Sequence, residues 1–493
     1  QVPKTVIEGV ISLKCPGVPP LQSCQLTPLG LTVQLQRPAA FQQVLSSIAE
    51  FTKPSQSASG QNIILSCSPL QNRRSLDTLS LSSLRAILVA DHLAEVLRIQ
   101  GMNVHLVPAV LDEGLQPFLH QLRVAWPSEV DAAFITEDVL TLKQVLSQCP
   151  YATVPGLEPG QTRLADDVIF KVHLKNFLAQ QSLEGYDPNL DVCLVTEEKV
   201  RLLAELRHVA LRCTVSNPAR GCPACRGTGP GSCCRVVHVV SCEGEFQQQQ
   251  VDLLWRMLDS RGPAGQKHLV CGPVKAANSP CPVGAPQYFQ LRRCQMYDAS
   301  VVKYGDLVQD DSWTEIIGVL TSAAIRFEML STAPHSQLLP AHASLEPKGP
   351  SMSQPGLSRL CAASGVTGST LIPGAYPASP PASELNFSLL RDEGEWLLLF
   401  NYILPFPETL SHQAQLPLSG PGPRITASTE AVRPGRLPRA CPPSSLQPWP
   451  HVAEEPLPHL FSQMFARLQL LRGLRDVIHR ALATLPQPGG RAG

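Results

Sequence analysis

Apolar positions recur along this chain in two rhythms, and the change from one to the other marks its organisation. Asn62-Ile63-Ile64-Leu65-Ser66-Cys67 is a short, nearly continuous apolar run, as a strand covered on both faces requires. From Leu84 to Gln100 the residues Leu84, Ile87, Leu88, Ala90, Leu93, Val96 and Leu97 fall at helical spacing, and Gly101 follows as a C-cap. Val104-His105-Leu106-Val107-Pro108 reads as the next strand. Strand, helix and strand in that order predict a parallel βαβ unit, because parallel neighbours need a crossover between them. Further strands are predicted at 192–195 and 236–240, with helices at about 197–212 and 247–259, so residues 56–300 read as a doubly wound α/β domain. Before them, residues 5–50 alternate apolar and polar and then run into a helix at 41–48.

Beyond residue 300 the strand signal fades. Segments 312–331, 384–404 and 457–485 have helical periodicity, separated by Pro/Ser/Gly-rich stretches at 333–383 and 415–456 that read as loops or disorder. The 493 residues suffice for two or three cores. Forty basic and forty acidic residues cancel, so any nucleic-acid contact must use a local patch rather than bulk charge. No apolar run reaches the roughly 18 residues that cross a bilayer, and the first residues lack the apolar core of a signal peptide. Sixteen cysteines in such a chain read as reduced thiols, and a cytoplasmic location is expected.

Three motifs carry chemistry. The first follows the strand Ile63-Ile64-Leu65 and a Ser68-Pro69 pair: Leu79-Ser80-Leu81-Ser82-Ser83-Leu84-Arg85. The second is Arg293-Cys294-Gln295-Met296-Tyr297-Asp298, with an apolar pattern trailing to Asp306-Leu307. The third combines Leu385-Asn386-Phe387-Ser388-Leu389-Leu390, Glu393-Gly394-Glu395-Trp396 and Leu404-Pro405-Phe406-Pro407-Glu408 with a final helix at 465–478. In this order they resemble the opening of a class I arginyl-tRNA synthetase, its second signature and its DALR anticodon-binding domain. The resemblance covers most of residues 60–490. It implies an α/β fold: a degenerate Rossmann-like synthetase domain followed by an all-α DALR domain, partly interrupted. The expected boundaries are an N-terminal extension at 1–55, the synthetase-like domain at 56–335, a linker at 336–384 and the DALR domain at 385–493, interrupted at 415–456.

The resemblance also implies loss of catalysis. Ser80 stands where the family has the first histidine of its His-Ile-Gly-His signature, Ser82 at the glycine and Ser83 at the second histidine. In the family the histidines stabilise the phosphates of ATP, and the glycine lets adenine lie against bare backbone. A short neutral hydroxyl cannot replace an imidazole donor there; each such loss costs about 3–4 kcal/mol of transition-state stabilisation. Gln295 and Asp298 occupy the lysine positions of the second signature, where a carboxylate repels a triphosphate. Taken together, the chain is similar to non-catalytic relatives of these synthetases, and so are its stretches Glu184-Gly185-Tyr186-Asp187-Pro188-Asn189-Leu190-Asp191 and Phe327-Glu328-Met329-Leu330-Ser331-Thr332-Ala333-Pro334. That likeness implies an arginine tRNA as partner, with a tRNA methyltransferase that forms 3-methylcytidine in the anticodon loop. It implies no cofactor, no DNA and no membrane. A protein-interaction scaffold without RNA contact is the alternative, and a residual synthetase is a third. The pattern departs from the family at 418–450, where prolines forbid the expected helix. It departs again near 345–365, where only Leu357-Ser358-Arg359-Leu360 resembles the family helix.

The RNA-binding candidates are Arg467, Arg472, Arg475, His479 and Arg480 on the last helix. Arg472, Arg475 and His479 share one face opposite Leu471, Leu474, Ile478 and Leu482, either as a ridge for the RNA backbone or as an ordinary solvated face. Trp396 and Phe400 read as core rather than base-stacking platforms. Cys222, Cys225, Cys233 and Cys234 are weak metal candidates, because the adjacent pair suits tetrahedral ligation poorly. His238, in an apolar strand, reads as a packed histidine, and Arg73 and Arg74 as a solvated loop.

Overall fold

The computed structural model describes residues 4–12, 19–51, 61–71, 76–129, 132–153, 167–215, 234–258, 266–275, 283–305, 312–340, 380–429 and 458–483, a few single positions aside. The chain opens with α1 (Lys4–Ile11), a hairpin of β1 (Leu21–Thr27) and β2 (Gly30–Leu35), and helices α2 (Arg37–Leu45) and α3 (Ile48–Phe51). Pro38 sits in the first turn of α2, where no intrahelical N–H is needed.

The middle of the chain builds two sheets. β3 (Asn62–Cys67), α4 (Leu81–Ile99) and β4 (Asn103–Val107) form the expected βαβ unit, with β3 and β4 parallel. After α5 (Leu115–Gln121) and α6 (Ala132–Ser147) come β5 (Ala152–Thr153), β6 (Val168–His173), α7 (Leu174–Gln181) and β7 (Val192–Thr196). Then α8 (Glu197–Val215), β8 (Cys234–Ser241), α9 (Glu245–Leu258) and β9 (Gln266–Cys271) return to the first sheet, followed by α10 (Ala285–Tyr304) and α11 (Ser312–Met329). The remaining elements are α12 (Glu393–Leu398), running into a π-helical turn at Leu399–Ile403, then α13 (Phe406–Ala414), β10 (Arg424–Ile425) and α14 (Phe461–Ala483). The main sheet is parallel throughout, in the order β10-β9-β8-β3-β4.

Two expectations need correcting. Residues 192–195 do not extend the doubly wound sheet: β7 pairs antiparallel with β6 in a separate sheet ordered β5-β6-β7. Four apolar residues in a row cannot reveal strand direction, but their burial does: Cys193 and Val195 are buried while Leu194 is exposed, as on a sheet covered on one side. By contrast all six residues of β3 are buried. The second correction concerns 415–456, expected as loop or disorder. Arg424 and Ile425 add a parallel edge strand to β9, and the His268 N–H donates to Pro423 O at 2.7 Å. Proline lacks the N–H a longer ladder would need, which keeps this strand at the sheet edge.

The chain divides into two compact units that are not contiguous in sequence. One comprises residues 1–56, 350–411 and 432–483, the other 57–349, 412–431 and 484–493. In the second unit α4 is buried on every side, from Leu81 to Ala94 and again at Val96 and Leu97. Its end is a Schellman turn: Met102 N–H reaches Leu97 O, Gly101 N–H reaches Arg98 O, and Gly101 takes φ +77°. Ile64, Phe170, Val172, Leu203, Val236 and Trp255 belong to one continuous core that links both sheets with α8 and α9. In the first unit α14 buries Ala466, Leu470, Gly473 and Val477.

Candidate functional site

In an open α/β sheet the ligand crevice lies beyond the carboxyl ends of the strands where the strand order reverses. Here that point falls between β3 and β8, and α4 begins beside it. Ser80 is the N-cap of α4: its Oγ accepts the Ser83 N–H at 3.1 Å and donates to Ser83 Oγ at 3.0 Å. Ser82 Oγ accepts the Val274 N–H at 3.2 Å, and Leu79 O accepts the Ala285 N–H at 2.8 Å. Ser82 and Ser83 are buried. The three serines therefore cap and pack the helix start, and the backbone N–H groups of Val274 and Ala285 bond beside it.

Arg85, two residues on, is fully buried. Its guanidinium donates to Met329 O, Gly272 O, Ser336 O, Thr332 O, Thr332 Oγ1 and Ala333 O. Burial lowers its pKa, so it relies on these acceptors to hold the charge. Gly272 lies so close to the same segment that a Cβ would meet His335 O and Ser336 O at 2.6 Å. Gly272 N–H also bonds Pro334 O, and Leu338 N–H bonds Pro273 O. The stretch 327–334 thus has a structural meaning: it wraps the end of β9 and is held there by Arg85. Alongside, Arg326 Nη2 meets Asp91 Oδ2 at 2.6 Å in a pair with almost no exposure.

The stretch 184–191 is explained by a second buried cluster. Tyr186 Oη donates to Asp252 Oδ2 at 2.7 Å, and Asp252 also meets Arg256 and His268. His238 lies between Gln248 Nε2 and Gln266 Oε1, each at 3.0 Å, which assigns its proton to Nε2. Burial, with His268 nearby, lowers the His238 pKa to about 4. Gly185 takes φ +86°, and a Cβ there would meet Pro423 Cδ at 2.8 Å. Lys267 Nζ donates to Gly420 O and Gly422 O, and Arg424 forks onto Glu245. The cluster fastens the edge strand to the sheet. His238 is, as expected, a packed histidine.

The remaining sequence-predicted positions are placed as follows. Gln295 and Asp298 both lie within α10; Gln295 accepts from Arg292 Nη1 at 2.9 Å and Asp298 is exposed. Ten residues separate Gln295 from Ala285, which at 1.5 Å per residue puts it about 15 Å along the helix from the end bonded to Leu79. The two signature regions are therefore not gathered at one point of α10. Arg467 is not an open cation: Nε meets Glu395 Oε1 at 2.6 Å and Nη2 meets Asp392 Oδ2 at 2.9 Å. Glu395 also accepts the Asp392 N–H, completing a capping box on α12. Arg475 is half-buried and paired with Asp476, while Arg472 is exposed. The side chains of His479 and Arg480 lie outside the described residues. The buried stripe of α14 differs from the one expected: Ala466, Leu470, Gly473 and Val477 point inward, while Leu471 and Leu474 are only half-buried. Gly473 explains the rotation, since a Cβ there would meet Leu45 Cδ2 at 2.9 Å and Ile403 Cδ1 at 3.5 Å.

Trp396 is buried as expected, but Phe400 is 45% exposed, and the two rings stack with centroids 5.6 Å apart at 27°. Of the cysteine candidates, Cys222, Cys225 and Cys233 lie outside the described residues, as do Arg73 and Arg74. Cys234 opens β8 and is buried. Among the described residues, no three His, Cys, Asp or Glu side chains gather in a way that could hold a metal. Nor is any described helix long and apolar enough to cross a membrane.

Comparison with known proteins gives these features a family. Residues 1–51, which the sequence pattern alone left as an extension, match the family model described as DALR, N-terminal domain. Among solved structures the fold is shared with the arginyl-tRNA synthetase of Thermus thermophilus, at TM-score 0.56 and 14% identity over 99% of this chain and 91% of that one. It is shared also with the arginyl-tRNA synthetase of Plasmodium falciparum, at TM-score 0.54 and 12% identity over 98% and 87%. Far closer in sequence is DALR anticodon-binding domain-containing protein 3 of Mus musculus, 45% identical across 99% of this chain and 89% of that protein. The protein of the same name from Danio rerio is 37% identical across 99% and 87%. On an arginyl-tRNA synthetase-like fold, and with identity of this extent along nearly its whole length, the chain belongs to the family of DALR anticodon-binding domain-containing protein 3.

Proposed function

We propose that this protein is a non-catalytic tRNA-binding adaptor. It recognises the anticodon arm of an arginine tRNA and presents the loop to a partner methyltransferase that forms 3-methylcytidine. The observation that carries the non-catalytic half is the start of α4. Its serines bond to one another and to Val274, where a synthetase needs open donors aimed at ATP. Arg85 supports the same reading, because its donors are spent on the 329–336 backbone. The RNA half is supported by the anticodon-binding domain in the relatives' name and by the synthetase fold. With forty charges of each sign, specificity would come from loop-base edges and stem shape.

Filter binding of the full chain with arginine tRNA and with other tRNAs, at rising salt, tests the proposal. Arginine tRNA should be held in preference, with log affinity falling linearly against log salt. Equal affinity for every tRNA, or none for any, overturns it. The balanced charge favours the scaffold alternative, which predicts an interaction insensitive to salt.

A further inference from the structure

Phe400 breaks the rule that aromatic residues at helical spacing are core. It stacks on Trp396, is 45% exposed, and borders a groove of about 940 Å³ whose lining residues all belong to the unit formed by residues 1–56, 350–411 and 432–483. That volume is within the roughly 300–1,000 Å³ of ligand pockets. Beside the two rings, its walls mix the polar Gln22, Gln34, Gln36 and Arg37 with apolar residues of β2 and of the start of α2. Trp396 is itself fixed from behind by Phe41, edge-on at 5.8 Å. Arg37 places its guanidinium carbon 5.1 Å over the Trp396 ring and reaches Glu393 at 2.7 Å. Both members of that ion pair are exposed, and such pairs contribute little in water, so an incoming phosphate can compete for the guanidinium.

We propose that this groove is an RNA subsite, in which one unpaired base stacks on the outer face of Phe400 and Arg37 contacts the adjoining phosphate. The inference rests on the tRNA-binding reading above and assigns it a place. A ring stacked on Trp396 yet 45% exposed offers a π-face that any base can use. A guanidinium beside it supplies the charge the backbone requires. Three exposed glutamine amides, each both donor and acceptor, can meet base edges. The Arg37 charge and the three amides, set among apolar wall residues, suit a nucleotide, which carries phosphate, polar edges and an apolar face together, better than a wholly apolar peptide.

Two measurements on the full chain test it. First, an arginine tRNA transcript carrying 4-thiouridine in its single-stranded loops is photocrosslinked to the unaltered protein, and the attached peptide is identified. The expected peptide contains Phe400 or lies along residues 33–39. Second, affinity for the same transcript is compared for the wild type, Phe400→Ala, Phe400→Tyr and Arg37→Ala. Phe400→Ala should weaken binding roughly 5- to 150-fold, with Phe400→Tyr within about twofold of wild type. Arg37→Ala should reduce the slope of log affinity against log salt by about 1. If the wild type holds tRNA but crosslinks elsewhere and Phe400→Ala binds unchanged, the subsite is refuted while the adaptor reading stands. If the wild type holds no tRNA, both fall.

Discussion

Arg467 separates a structural role from an RNA-binding one. In Arg467→Met the side chain keeps its length but loses both ion pairs. The Glu395 arm is the costly one: Glu395 is 4% exposed, and a hydrogen bond to a buried charged group contributes about 1.5–3 kcal/mol. The Asp392 arm ends on a carboxylate that is 66% exposed and adds about 0–1 kcal/mol. Glu395 keeps the Asp392 N–H at 3.0 Å, so the loss stays below that of a fully stripped buried charge. The sum is about 1.5–4 kcal/mol, felt in the packing of α12 against α14. A two-unit chain need not unfold in one step, so the readout is hydrogen exchange of the α14 amides, whose protection should fall roughly 10- to 900-fold. Adding Glu395→Gln should restore part of it, because the stranded carboxylate is then gone. The reasoning is refuted if Arg467→Met leaves exchange unchanged while tRNA affinity falls, for then its charge acts on RNA and not on the fold.

Further outcomes follow from the second unit. Ser80→His, Ser82→Gly and Ser83→His together, which install the residues the family resemblance implies, should give no ATP–pyrophosphate exchange, because the backbone at Val274 and Ala285 and the segment held by Arg85 stay in place; activity in this variant would overturn the explanation. Acidification should loosen the sheet around His238. Its folded pKa of about 4 lies below the ordinary 6.5, so the unfolded chain binds the proton first. The associated stability is complete above about pH 6.5 and is lost as pH falls towards 4, by about 2 kcal/mol at pH 5 and about 3 in all. Exchange of β8 amides in wild type and His238→Gln reads this, and parallel loss in both would refute it. Gly272→Ala should destabilise this unit by about 2 kcal/mol or more, because backbone carbonyls, not flexible side chains, stand 2.6 Å from the added methyl; denaturation followed alongside Gly318→Ala, where a Cβ meets nothing within 4 Å, gives the comparison.

Local chemistry made much of this protein legible from its residues alone. The βαβ unit was readable because a six-residue apolar run, a helical stripe and a C-capping glycine each satisfy a local rule, and α4 ends where Gly101 requires. The expected loss of catalysis at Ser80, Ser82 and Ser83 rests on side-chain chemistry alone, because a hydroxyl differs from an imidazole wherever the chain places it. Tertiary contact decided the rest. Nothing near Arg85 in the sequence marks a guanidinium as fully buried, since its acceptors are carbonyls some 190–250 positions away. Whether 192–195 ran parallel, and whether Arg424-Ile425 joined a sheet, depended on partners rather than on propensity. α14 turned its Gly473 edge inward because Leu45 and Ile403 fill the space beside it, and Phe400, stacked on Trp396, is left 45% exposed. Periodicity states that a helix has an apolar side; which side is buried, and which ring remains free to stack, is settled only by what packs against it.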